Sequence, residues 1–133
     1  MIAFAESSYL VALALLVGSF INLATDRLPR GESLVRPRSH CRSCGRILNV
    51  VDLIPVGGYL IRGGRCAGCG VSIGASSPAV EAICGAFMLV ALVALGPGLG
   101  AILGAAGVVL VGAAAVSLSY ARAATVRRGS RPG

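Results

Sequence analysis

Apolar residues gather into three long stretches, roughly residues 3–24, 79–95 and 99–120, with polar and charged positions between the first and second and after the third. Each is close to the roughly 20 residues that carry a helix across the hydrocarbon core. The pattern predicts an all-α integral membrane protein with three transmembrane helices. Glu6 interrupts the first stretch only near its outer end, where a carboxylate reaches the interface. Gly96-Pro97-Gly98 separates the second and third stretches and predicts a tight turn between antiparallel helices. On this reading residues 1–95 hold the first span, a loop over 25–77 and the second span, and residues 96–133 hold the third span and a basic tail.

Composition agrees with that pattern. Of 133 residues, 56% are apolar and 13% charged, and the mean hydropathy is +0.84, a balance foreign to soluble domains. The first apolar stretch has no basic residue ahead of it, runs long for a signal core and is followed by no Ala-x-Ala site, so it is expected to stay in the mature protein. The net charge is +7, and every basic residue is arginine. Eight arginines lie between Asp26 and Arg65, and the other four, Arg122, Arg127, Arg128 and Arg131, lie in the tail. With three spans, both groups fall on one side, which the positive-inside rule makes cytoplasmic, and the amino terminus lies outside. The charge is therefore read as topology and contact with the lipid bilayer. No stacking aromatics accompany the arginines, so nucleic acid is not expected as a partner.

The loop carries Cys41-Arg-Ser-Cys44-Gly45 and Cys66-Ala-Gly-Cys69-Gly70. Two Cys-x-x-Cys knuckles at this separation predict a tetrahedral zinc site on four thiolates, Cys41, Cys44, Cys66 and Cys69. Disulfides are disfavoured because the loop is expected on the reducing side, and redox chemistry at one Cys-x-x-Cys leaves the second knuckle unexplained. Four cysteines close the coordination sphere, so the zinc is expected to be structural, folding a loop too small for its own core. His40 is expected to be solvated or to sit behind the ligands, and Cys84, within the second apolar stretch, to be a small buried residue.

Several motifs occur together in order: Gly18-Ser19-Phe20-Ile21-Asn22-Leu23, Arg27-Leu28-Pro29-Arg30-Gly31-Glu32-Ser33, Arg36-Pro37-Arg38-Ser39-His40-Cys41, Asp52-Leu53-Ile54-Pro55, Arg62-Gly63-Gly64-Arg65-Cys66 and Pro78-Ala79-Val80-Glu81. Over residues 10–90 the chain resembles the amino-terminal domain of the type IV prepilin leader peptidase and N-methyltransferase family. The resemblance implies a bacterial cytoplasmic membrane protein acting on prepilins or pseudopilins of a type IV pilus or type II secretion system. That family cleaves the leader with two membrane aspartates, one in a Gly-x-Gly-Asp motif, and methylates the new amino terminus with S-adenosylmethionine. Here the aspartates are Asp26 and Asp52, both in the loop, and no Gly-x-Gly-Asp occurs. Leader cleavage is therefore not expected of this chain alone, and methyltransferase activity is the only enzyme reading left, with S-adenosylmethionine implied by resemblance only. Departures include Val50-Val51 where the family has an aromatic pair, Gly57-Gly58 where it has bulkier residues, and Ser76-Ser77 where it often has Arg-Tyr.

Three residues are candidates for substrate or methyl-donor contacts: Asn22, Glu32 and Asp52. Asn22 shares a helix face with Gly18 and Asp26, which fits either helix packing or a pocket wall. Glu32 and Asp52 either pair with nearby arginines or attract a basic leader or a pilin amine. Glu81, behind Ser77 and Pro78, reads as an ordinary helix-start acid. Gly100 and Gly104 allow close helix approach, either within the chain or as a face for a separate membrane aspartyl peptidase subunit. Two functions follow: a prepilin-processing component with a methyltransferase-type domain, or a non-catalytic zinc-binding membrane module that binds prepilin or scaffolds a peptidase.

Overall fold

A computed structural model describes residues 2–129; Arg131, counted above among the tail arginines, lies outside them. Helix α1 spans Ile2–Arg27 and continues as a 3-10 turn, Leu28–Arg30, that ends on Gly31 at φ 70°. The loop contains a second 3-10 turn, Val51–Leu53, and a short helix α2, Gly57–Ile61. Helix α3 spans Ser76–Gly129. Isolated antiparallel bridges, His40 to Ile47 and Arg65 to Ser72, are the extended pairings among the described residues.

The expectation of three transmembrane helices is corrected. Among the described residues two helices are long and apolar enough to cross a membrane, Phe4–Arg30 and Ser76–Val126. The Gly96-Pro97-Gly98 cluster does not separate two elements by a loop. A single residue, Gly96, leaves helical geometry at φ 77° and ψ 173°, and α3 runs through it. Only glycine takes that left-handed φ without strain. Pro97 follows, in the first-turn position where its missing N–H costs nothing.

The bend at Gly96 folds α3 back on itself. A Cβ at Gly100 would press on the Ala91 carbonyl and on Leu92 Cα, and one at Gly104 would lie 2.6 Å from Met88 Sδ. Residues 16 apart on a straight helix stand about 24 Å apart, so the two limbs lie side by side. Helix α1 packs on both. Gly18 abuts Glu81 and Cys84, Gly85 abuts Leu15, and Gly112 abuts Ile21. Small residues at each crossing let the backbones approach closely, and van der Waals packing then holds them.

The buried cluster is thin: Ala14, Ile21, Cys84, Met88, Leu92 and Val108. Cys84 is fully buried, as a small apolar residue should be. Larger apolar side chains face outward, among them Phe4, Phe20, Val90, Val93, Ile102 and Leu110. Only 22% and 28% of the most apolar windows of the two long helices are buried within the protein. An apolar belt of that extent calls for lipid around it rather than water.

Candidate metal centre

Each knuckle folds by the same local rules. The Gly45 N–H donates to the Cys41 carbonyl at 2.8 Å, and Gly70 repeats this to Cys66 at 2.9 Å. Both glycines hold positive φ, 72° and 68°, which turns the chain without a Cβ clash. The Cys41 N–H then donates to Arg46 and the Cys66 N–H to Val71, each at 2.9 Å. The outer rungs match as well: Leu48 donates to Ser39 at 2.9 Å and Ile73 to Gly64 at 2.7 Å. The two knuckles are thus the same hydrogen-bonded hairpin, offset by a constant step in the sequence.

Facing each other, these hairpins bring the four thiols together. All four Sγ atoms lie within 4.8 Å of one another. Cys41 Sγ is 3.9 Å from Cys69 Sγ, and Cys44 Sγ is 3.9 Å from Cys66 Sγ. Tetrahedral ligands with metal–sulfur bonds of about 2.3 Å stand about 3.8 Å apart, so the cluster can hold a metal ion with little contraction. Backbone N–H groups of Cys69 and Gly68 point at Cys66 and bring its thiol down to about 6, whereas Cys44, despite the Arg46 N–H, is pushed up to about 11 by burial and the crowded thiols of Cys69, Cys41 and Cys66. His40 is not part of the four-thiol cluster, and its Nδ1 lies 2.9 Å from the Arg38 carbonyl.

Carboxylates tie this centre to the helices. Asp52 is nearly buried and accepts from Arg46 at 2.8 Å and Arg62 at 2.7 Å. It also accepts the Asn49 N–H at 3.0 Å, while Asn49 Oδ1 accepts the Asp52 N–H at 3.0 Å. The Asn49 N–H and the two guanidiniums hold the Asp52 carboxyl at about 2. Asp52 therefore joins the first knuckle, through Arg46, to the end of α2. Glu81 is buried, and its Oε2 accepts the Val56 N–H at 2.6 Å. Val56 stands at φ 57°, a left-handed conformation costly for a β-branched residue.

The remaining candidates lie apart. Glu32 accepts from Arg42 at 2.8 Å, and Arg42 also reaches Asp26 at 2.6 Å. Asp26 pairs with Arg30 as well. The hydrogen bond from Arg42 pulls the Glu32 carboxyl below its ordinary range. Asn22 is half-buried in α1, and its main-chain carbonyl accepts the Thr25 hydroxyl at 2.8 Å. The structure thus places Asp52 in one ion-pair cluster and Glu32 in another, and neither cluster includes Asn22.

Two residues matter more than sequence reasoning suggests. Glu81 reads as a plain helix start, yet its partner is Val56, 25 positions earlier. Arg27 reads as topology charge, yet it is buried and donates to the Ser33 and Pro37 carbonyls at 2.6 and 2.7 Å, closing the segment after α1. The motif repeats Arg27 and Glu81 carried that signal, but only as letters without partners. Between α2, the second knuckle and the start of α3 lies a cavity of about 120 Å³, lined by Asp52, Tyr59, Arg62, Cys66 and Glu81 among others. Small-molecule sites usually hold about 300–1,000 Å³, so this cavity is small beside them.

Residues 12–95 match the bacterial Peptidase A24 N-terminal domain. The prepilin leader peptidase/N-methyltransferase of Myxococcus xanthus (strain DK1622) is 44% identical over 77 residues, covering 58% of this chain and 23% of that protein. The protein of the same name from Bacillus subtilis (strain 168) is 38% identical over 76 residues, 57% of this chain and 31% of its own length. The type 4 prepilin-like proteins leader peptide-processing enzyme of Escherichia coli O78:H11 is 35% identical over 98 residues, 59% of this chain and 36% of the relative. The chain therefore spans between 23% and 36% of the length of these relatives. No solved structure matches it.

Proposed function

The chain belongs to the bacterial Peptidase A24 N-terminal domain family, and from that premise we propose that it acts in processing type IV prepilins or pseudopilins at the bacterial cytoplasmic membrane. The observation that carries this reading is the paired-knuckle loop, which residues 12–95 contain whole and which Glu81 fastens to the membrane helices. On this proposal the metal is zinc, held by Cys41, Cys44, Cys66 and Cys69. Four thiolates leave no open coordination position, so the ion would fix the loop rather than activate water. The arginine-rich loop would face the cytoplasm, where positive charge is retained, and would meet the basic leader or the processed amino terminus there.

Cleavage is not assigned to this chain alone. An aspartyl pair shares a proton at close range, whereas Asp26 is engaged by Arg30 and Arg42, and Asp52 by Arg46 and Arg62. Methyl transfer stays a proposal on family membership. The occupied carboxylates favour the second reading: a non-catalytic zinc module that binds prepilin or scaffolds an aspartyl peptidase. The test is purified chain in detergent, given a prepilin peptide, then a mature pilin amino-terminal peptide with labelled S-adenosylmethionine. The expected result is no cleavage, and methyl transfer separates enzyme from module. Deleting the gene should leave prepilin uncut or unmethylated in the cell. Normal processing in the deletion strain would overturn the role in prepilin handling.

A further inference from the structure

Helix α1 and its 3-10 continuation end at Arg30, the apolar run of α3 gives way to polar residues from Arg122 onward, and a groove of about 390 Å³ opens between these two places. Pro29 and Arg30 form one wall, and Ser119, Arg122, Ala123 and Val126 form the other. Both walls sit where apolar helix gives way to polar chain, which is the depth of lipid headgroups.

Charge in the groove is cationic. Asp26 also lines it, but that carboxylate is taken by Arg30 and by Arg42. The Arg122 side chain is exposed and makes no ion pair or hydrogen bond among the described residues. Ser119 Oγ donates to the Val116 carbonyl at 2.7 Å, which leaves its oxygen free to accept. Val126, one turn beyond Arg122 and farther from the apolar stretch, is 72% exposed.

We propose that this groove binds the headgroup of an anionic phospholipid, with Arg122 on the phosphate and the apolar limb on the Ser119 side of Arg122 against the acyl chains. The proposal rests on the membrane placement stated above. It differs from general attraction to a negative surface, because it assigns the lipid to one groove rather than to all exposed arginines.

Native mass spectrometry of the full chain in mild detergent tests it. Protein is mixed with phosphatidylglycerol or with phosphatidylcholine of the same acyl chains, and retained lipid is counted. Arg122→Gln is compared with Arg38→Gln, since Arg38 is also exposed and without an acidic partner but lies outside the groove. One arginine at an anionic surface corresponds to about fivefold in affinity. Arg122→Gln should lower phosphatidylglycerol retention about fivefold, Arg38→Gln less than twofold, and phosphatidylcholine should be held weakly by all three. Equal loss in both variants would mean diffuse surface charge and overturn the site, as would equal retention of the two lipids. Carbonate extraction of cell membranes keeps the outcomes separate. Protein that stays with the membrane but shows no lipid preference sinks the groove alone, whereas protein released by carbonate sinks the membrane reading too.

Discussion

Glu81 Oε2 accepts the backbone N–H of Val56 at 2.6 Å. That one bond reaches from the first turns of α3 into the metal-bearing loop, and it meets Val56 in a backbone conformation the residue does not adopt unaided. A charged acceptor on a buried amide contributes about 1.5–3 kcal/mol. Glu81→Ala should therefore lower stability by about that amount, and the loop should loosen before the helices do. Limited proteolysis with a protease that cuts after arginine should nick Arg62 or Arg65 faster in the variant. Equal cutting rates would mean that the loop is held by other contacts.

Glycines at the helix crossings should differ in what they tolerate. A Cβ at Gly100 would meet main-chain atoms of Ala91 and Leu92, which cannot move aside, whereas one at Gly104 would meet Met88 Sδ, the far part of a flexible side chain. Overpacking typically costs about 1–3 kcal/mol. Gly100→Ala should fall in that range, and Gly104→Ala should cost clearly less, measured as thermal midpoints in one detergent. The same geometry removes Gly104 as a docking groove for a second protein, since the chain's own first limb fills it. Loss of a membrane partner in Gly104→Ala with unchanged stability would contradict this.

Much of the centre was legible because its signals are local. Cys-x-x-Cys followed by glycine encodes a hairpin whose hydrogen bonds span four to nine positions, so spacing alone foretells that the thiols of one knuckle converge. The apolar stretches and the breaker at Gly96 were legible for the same reason. The helix count was not. One non-helical glycine joins the two limbs of α3 with no loop between them, and no propensity distinguishes that from a loop. The roles of Glu81 and Arg27 were hidden because each depends on a partner from another segment, Val56 and Pro37, whereas the pairing of Asp52 and Glu32 with nearby arginines was among the expectations and only the particular arginines were not. Gly100 and Gly104 announced close packing but not against what, and only the folded chain shows Leu92 and Met88 there.

Metal content should follow the four cysteines as a unit. Three thiolates bind less tightly and leave the second hairpin unanchored, and site energy is folding energy in a loop this small. Cys66→Ser should reduce zinc from one per chain to well below half by elemental analysis. Cys84→Ser should leave zinc unchanged, because Cys84 is buried among the helices. Equal zinc in wild type and Cys66→Ser would refute the assignment, and so would zinc lost with Cys84.

Asp52 sets a pH dependence whose direction can be worked out. The Asn49 N–H, Arg62 and Arg46 hold its folded carboxyl at about 2, below the ordinary 3.8. A depressed carboxyl stabilises the fold above the unfolded value, and the contribution is lost as pH falls through the folded one. Wild type should therefore exceed Asp52→Asn in stability by a constant margin above about pH 5. That margin should shrink as the pH is lowered from about 4 toward 2. Acid also strips metal from thiolates, but it does so in both proteins, so the difference between them isolates Asp52. The measurement is the urea midpoint of each protein in the same detergent across pH 2–7, followed through the release of the loop. Because the carboxylate bridges Arg46 of the first knuckle and Arg62 beyond α2, the variant should also lose zinc to a chelator faster at neutral pH. A margin that does not vary between pH 5 and pH 2 would mean that the Asp52 charge does not bind the two halves of the loop together.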